Sequence, residues 1–173
     1  MNYNVIDNFL PQEYFNHILH VMFNSPDFTW SYSDMIAYHG DDDSSTGYFA
    51  HTLFDSRDEE KGYLPATPFR SKFFELIFPL LDELKATNLI RAKVNFYTRT
   101  NKVEEHAQHV DTYFSCKGAI LYLNTCNGFT RLGKDTIINS VANRVLLFDA
   151  SNWHNSTTCS DQRYRLTLNI NYN

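Results

Sequence analysis

The triplet His109-Val110-Asp111 sets two metal-ligand side chains two residues apart, and the pleat of an extended strand turns both to one face. Such a pair can grip one ion, although a short triplet of this kind carries little information alone and equally suits a surface hydrogen bond. His154 supplies a third ligand. It follows the apolar run Arg144-Val145-Leu146-Leu147-Phe148-Asp149 after a short turn, where a closed barrel would bring it beside the first pair. Two imidazoles and one carboxylate on a single face of an octahedral ion leave three positions open, a set suited to iron(II) and to substrates that bind the metal. The same ligands suit zinc, but no general base accompanies them, which disfavours a zinc hydrolase.

Arg163 lies nine residues beyond His154 and opens a strand in which Arg163, Arg165 and Thr167 share a face. An inward guanidinium is costly to bury without a partner, and a dicarboxylic acid would provide one in bidentate form; a rim ion pair with Asp149 or Asp161 is the alternative. Tyr122, Tyr97 and Thr167 stand where they could add hydrogen bonds to the same diacid, with ordinary core packing as the other reading of the tyrosines. His51, Trp153 and Arg131 are candidate substrate contacts, although a single histidine or tryptophan is more often structural. His106 alternates to the face opposite His109 and Asp111 in a regular strand and is excluded as a ligand.

The elements that must position these groups fall into two halves. In the first, Val5 to Leu10 reads as a strand and Pro11 opens a helix with Tyr14, Phe15, Ile18, Leu19 and Met22 at helical spacing. A second helical stretch begins near Ser71, divided or kinked by Pro79. Residues 33–63 contain the polar run Asp41-Asp42-Asp43-Ser44-Ser45-Thr46-Gly47, expected as a mobile loop, either a solvated insertion or a lid. From Leu89 the period changes to two: Ile90, Ala92, Val94 and Phe96 form one face, and Arg91, Lys93, Asn95, Tyr97 and Arg99 the other. Further strands are expected at 106–112, 118–124, 136–140, 144–149 and 163–171. Helices followed by a run of short strands predict an α+β fold, a double-stranded β-helix of jelly-roll or cupin-like form with the N-terminal helices packed on one sheet. Residues 1–173 read as one domain, with helices, strands and lid loop in 1–88 and the barrel core with its metal site in 89–173.

The segments HVDTYFSCKGAILYLN, NRVLLFDASNWH and QRYRLTLNINY together resemble the prolyl-hydroxylase branch of the 2-oxoglutarate/iron(II) dioxygenases over about residues 90–173. VIDNFLPQEYF and YFAHTLFD are similar to compact oxygenases of bacteriophages. The resemblance implies that His109, Asp111 and His154 hold Fe(II), that Arg163 pairs with the far carboxylate of 2-oxoglutarate, and that Tyr122 and Tyr97 are co-substrate tyrosines. It also implies O2 as oxidant and hydroxylation of a prolyl residue in a peptide or protein, with release of succinate and carbon dioxide. Hydroxylation of a small molecule or free amino acid uses the same chemistry, and a non-catalytic cupin-like module uses the same barrel. CNGFTRLG departs from the family pattern, with Phe129 and Arg131 where many relatives have glycine and an acid, a difference that bears on the substrate rather than on the metal.

Composition narrows the remaining classes. A formal charge of −5 without a basic block argues against a nucleic-acid partner. Cys116, Cys126 and Cys159 lack CxxC spacing and are expected as buried free thiols. No basic, apolar leader and no run of about 18 apolar residues is present, so a soluble cytoplasmic protein without a membrane partner is expected.

Overall fold

The computed structural model describes residues 2–34, 47–57 and 68–173. It is built on an eight-stranded antiparallel sheet facing a three-stranded one. In chain order the elements are β1 (Asn4–Ile6), α1 (Gln12–Asn24), β2 (Ser31–Ser33), β3 (Tyr48–Asp55), β4 (Phe69–Arg70), a 3-10 turn (Phe74–Ile77), α2 (Phe78–Glu83), β5 (Leu89–Thr98), β6 (Lys117–Tyr122), β7 (Phe129–Leu132), β8 (Thr136–Asn139), β9 (Arg144–Asp149), β10 (His154–Asn155) and β11 (Tyr164–Tyr172). The large sheet runs β1-β9-β6-β11-β5-β3-β2, with β4 on β3, and the small one β10-β7-β8. Two antiparallel sheets with the helices outside one of them are the double-stranded β-helix expected from the strand pattern.

Strand alternation explains how the sheet serves two purposes. Ala92 and Val94 of β5, Leu166, Leu168 and Ile170 of β11, Ala119 and Leu121 of β6 and Val145 of β9 point outward into one core with Phe15, Ile18 and Met22 of α1 and Leu80 of α2. Every second residue points the other way, into the barrel. On β6 and β9 those residues are apolar, and Ile120, Leu146 and Phe148 close with Leu132 and Ile138 of the small sheet into a second core. On β5 and β11 they are polar: Arg91, Lys93, Asn95 and Tyr97 lie opposite Asn171, Asn169, Thr167 and Arg165 in register. One side of the barrel is thus packed with hydrocarbon and the other is lined with hydrogen-bonding groups.

Several local expectations shift. Pro11 precedes α1 in extended conformation (φ −51°, ψ 134°), and the helix starts one residue later. Pro79 sits in the first turn of α2, where its missing N–H costs nothing, so the second helical stretch is a 3-10 turn followed by a short helix. The strand expected at 106–112 is reduced to isolated bridges at Glu105 and His109, because its partner β10 is two residues long. Within 33–63 the segment 48–55 is β3, an eight-residue strand of the large sheet rather than loop, since Leu53 and Phe54 are buried against the helices. The stretch 41–46, with the lid expectation placed on it, lies outside the described residues.

All three cysteines are buried and free. No described helix is long and apolar enough to cross a membrane.

Candidate metal and diacid site

His109 and His154 face one another across an isolated antiparallel bridge, with His109 N–H donating to the His154 carbonyl at 2.8 Å and His154 N–H returning the bond at 2.9 Å. Directly opposed residues of such a pair project to the same side, so the bridge fixes both imidazoles over one spot with ring centroids 4.6 Å apart. Asp111 reaches that spot because its N–H is held by the carbonyl of Ala150, immediately after β9. The carboxylate lies 3.9 Å from His109 Nε2 and 3.8 Å from His154 Nε2. The ligand atoms of the three side chains all fall within 4.8 Å of one another.

Hydrogen bonding sets which lone pairs are free. His154 Nδ1 donates to the Asn152 carbonyl at 2.9 Å, which turns Nε2 inward; that atom is buried and has no hydrogen-bond partner among the described residues. His109 Nδ1 leans on the Ala107 carbonyl at 3.4 Å and likewise turns Nε2 inward. Backbone carbonyls behind ligating imidazoles orient the ring in this way at metal centres. Burial, with the neighbouring His154, pushes the His109 pKa down to about 4, so the ring is neutral near pH 7. Burial would raise the Asp111 pKa, but Arg91, both imidazoles and Asn171 outweigh it and hold the carboxyl well below its ordinary range. Arg91 Nη2 donates to one carboxylate oxygen at 2.7 Å and Asn171 Nδ2 to the other at 2.9 Å, each leaving a further lone pair. Two imidazoles with Nε2 turned inward and one ionised carboxylate, converging within 4.8 Å, fit a divalent cation.

The second feature is Arg165. It is fully buried on the inner face of β11, and its guanidinium donates to Ser140 Oγ at 2.7 Å, Ser156 Oγ at 2.5 Å, Thr130 Oγ1 at 3.1 Å and the Thr157 carbonyl at 3.4 Å. Every acceptor is neutral. Among the described residues it forms no ion pair, so a full positive charge sits inside the barrel held only by dipoles and by the rings of Tyr97 and Tyr122, 5.7 and 5.6 Å away. Gly128 makes room for it: a Cβ there would stand 2.5 Å from Arg165 Cδ and 2.5 Å from the Thr158 carbonyl oxygen.

Several buried polar atoms have no hydrogen bond of good geometry among the described residues, including Tyr122 Oη, Asn95 Oδ1, Asn169 Oδ1 and both ring nitrogens of His106. Burial raises the Tyr97 and Tyr122 pKa values to about 12, so both phenols keep their protons. Thr167 is buried on the same face, opposite Tyr122.

Other expected residues are placed elsewhere. Arg163 is exposed before β11 and does not enter the barrel; the buried guanidinium is that of Arg165, eleven residues beyond His154 rather than nine. Alternation alone could not choose, since both arginines have the same parity. His51 pairs in register with Val94 on the outer face, stacks on Phe28 at 4.0 Å, donates from Nδ1 to the Thr29 carbonyl and accepts at Nε2 from Ser71 Oγ. It is a satisfied core histidine remote from the three ligands. Arg131 is bound bidentately by Glu105 at 2.9 and 2.6 Å on the small sheet. Trp153, beside His154, is 58% exposed, as are Tyr113 (86%) and Phe114 (58%) just past Asp111. His106, expected to turn away, instead packs on Tyr97 at 5.1 Å because the irregular backbone there does not alternate. Arg91 and Asn171 escaped the sequence reading as partners of Asp111, although their signal was visible in the polar inner faces of β5 and β11.

Comparison with solved structures supports the architecture. A 2OG-Fe(II) oxygenase family oxidoreductase from Burkholderia pseudomallei superposes with a TM-score of 0.67 over 98% of this chain and 83% of its own, at 12% identity. A prolyl hydroxylase from Trichoplax adhaerens, solved with a hypoxia inducible factor peptide fragment, gives 0.66 over 98% and 82%, at 16% identity. The fold is that of the 2-oxoglutarate/iron(II) oxygenases. The α-ketoglutarate dependent epimerase SnoN from nogalamycin biosynthesis also shares this oxygenase fold, with a TM-score of 0.62 over 99% and 77% at 12% identity. No protein-family model and no curated protein sequence matches the chain.

Proposed function

We propose that this protein is an Fe(II)- and 2-oxoglutarate-dependent dioxygenase that hydroxylates a prolyl residue in a peptide or protein. The observation that carries the reading is the pairing of two features in one barrel: three converging ligand atoms suited to a cation, and a buried arginine whose acceptors among the described residues are all neutral. A metal-chelating diacid meets both.

In this reading His109, Asp111 and His154 hold the iron, and Arg165 receives the far carboxylate of 2-oxoglutarate in place of the expected Arg163. Together iron and 2-oxoglutarate supply the oxidising power drawn from O2, one oxygen atom entering the substrate C–H bond and the other converting 2-oxoglutarate into succinate and carbon dioxide. The chain's own share is orientation and dryness. Arg91 and Asn171 keep Asp111 ionised and aimed; the Asn152 carbonyl keeps His154 in the ligating tautomer; Tyr97 and Tyr122 wall the diacid pocket as neutral phenols; the Ile120, Leu146 and Phe148 cluster excludes water from the far side.

Exposed Trp153, Tyr113 and Phe114 around the metal ligands suit a peptide laid across the mouth, which supports the prolyl substrate, as does the fold shared with a peptide-binding hydroxylase. A small-molecule substrate is the second reading, favoured by SnoN on the same fold. Incubation with Fe(II), 2-oxoglutarate and O2, followed by mass spectrometry of proline-containing peptides and of metabolite pools, separates the two. A peptide gaining one oxygen at proline with matching succinate is expected. Oxidation of small molecules alone would replace the prolyl assignment, and no succinate under any condition would favour a non-catalytic binding module.

A further inference from the structure

His106 carries two buried ring nitrogens that nothing among the described residues satisfies. The residue is 7% exposed, and neither Nδ1 nor Nε2 has a hydrogen-bond partner among the described residues, although an unsatisfied buried donor ordinarily costs about 1–3 kcal/mol. Its position is well determined by its backbone: the N–H donates to the Ser156 carbonyl at 3.0 Å and the C=O accepts from Asn155 Nδ2 at 2.9 Å. The same Ser156 accepts at its hydroxyl oxygen from Arg165, and the imidazole packs on Tyr97, whose ring lies beneath the Arg165 guanidinium. His106 therefore borders the diacid pocket from the irregular segment that leads to His109. An apolar residue would fill the space more cheaply, so an imidazole there points to a polar visitor.

We propose that His106 is a binding residue for the diacid co-substrate, its neutral imidazole donating a hydrogen bond to a carboxylate of the molecule that Arg165 anchors. This rests on the function proposed above. The ring is well suited to the task because burial, Arg165 and His109 keep it uncharged down to about pH 3, so it retains one N–H to donate and one lone pair to receive a pocket water or hydroxyl. It stands apart from the metal ligands, whose cluster does not include it.

The test is calorimetric titration of 2-oxoglutarate into protein loaded with Mn(II), for wild type, His106→Leu and His106→Gln, with the Mn(II) affinity and the thermal midpoint of the ligand-free protein measured for each. His106→Leu is expected to weaken 2-oxoglutarate binding roughly ten- to hundredfold, the size of a hydrogen bond to a charged group, with Mn(II) affinity unchanged. Its ligand-free midpoint is expected to equal or exceed that of wild type, since an orphaned polar group has been removed. His106→Gln, which keeps a donor at similar reach, is expected to recover most of the affinity. If wild type binds Mn(II) but no 2-oxoglutarate, the functional reading itself fails and takes this inference with it. If wild type binds and His106→Leu binds equally well, only the His106 role is overturned, and a pocket water satisfies the ring. A lowered midpoint with no rescue of binding by His106→Gln also overturns it, as the mark of a packing residue.

Discussion

At the residue scale, Arg163 and Arg165 give the sharpest division between what the chain's spacing suggests and what its backbone does. Both precede or begin one strand with the same parity, yet one is exposed and the other fully buried. Arg163→Ala is accordingly expected to leave the 2-oxoglutarate requirement unchanged, whereas Arg165→Ala raises it by a hundredfold or more, on the order expected when a buried charge-assisted pair is broken. Steady-state kinetics in 2-oxoglutarate for the two variants check this, and equal effects would contradict the assignment. A second expectation concerns Asp111. Removing the guanidinium behind it in Arg91→Met deprives the carboxylate of its closest donor, and such supporting partners are worth about 10–100-fold in metal affinity. Competition against a chelator reads that loss directly; unchanged affinity would mean that Asp111 is held by Asn171 alone.

At the scale of elements, the long strands β5, β9 and β11 were readable because one face is continuous hydrocarbon, and the fold class followed from them. β3 was not, since its eight residues begin beside a polar run and mix Ala50, His51 and Thr52 into the alternation. The metal triplet was legible as residue types but not as a strand: β10 has two residues, and pairing so short leaves no periodic trace around His109. His154 is aimed by its bridge to His109 and its pairing with Leu132 of β7, both of which depend on the turn after Ala150, a matter of backbone rather than pattern. Gly128 shows a similar limit, reading as a turn former when its deeper requirement is the passage of Arg165. Gly128→Ala forces a 2.5 Å contact with the Arg165 side chain and is expected to weaken 2-oxoglutarate binding about tenfold or more while sparing the metal, since one displaced charge-assisted contact is worth that much. Calorimetry on the metal-loaded variant decides it.

On the scale of the whole molecule, the barrel is asymmetric by design of its strands: oily between β6, β9 and the small sheet, polar between β5 and β11. The polar side costs stability in the ligand-free chain, and pH exposes that cost. His106 and His109, both desolvated, have folded pKa values of about 3 and about 4, below the ordinary 6.5 of the unfolded chain, and burial lowers His51 as well. The unfolded chain therefore binds more protons as pH falls below about 6.5, and stability drops with acid through the window from 6.5 toward 3. Asp111, depressed rather than raised, adds a further loss in the same direction at lower pH. Thermal midpoints of chelated protein are expected to fall steadily from pH 7 to pH 4, and His106→Leu to flatten part of that fall. A midpoint independent of pH over this range would show that these rings are not buried as described.

We infer that one barrel unites a divalent cation site with an arginine that receives a diacid. A crystal structure of the protein grown anaerobically with Mn(II) and 2-oxoglutarate tests it most directly. The expected result is one ion ligated by His109, Asp111 and His154, with the diacid bound to that ion and its far carboxylate on Arg165. Density for the ion at any other residues, or a diacid seated on Arg163 at the surface with the Arg165 pocket filled by water, would contradict the account.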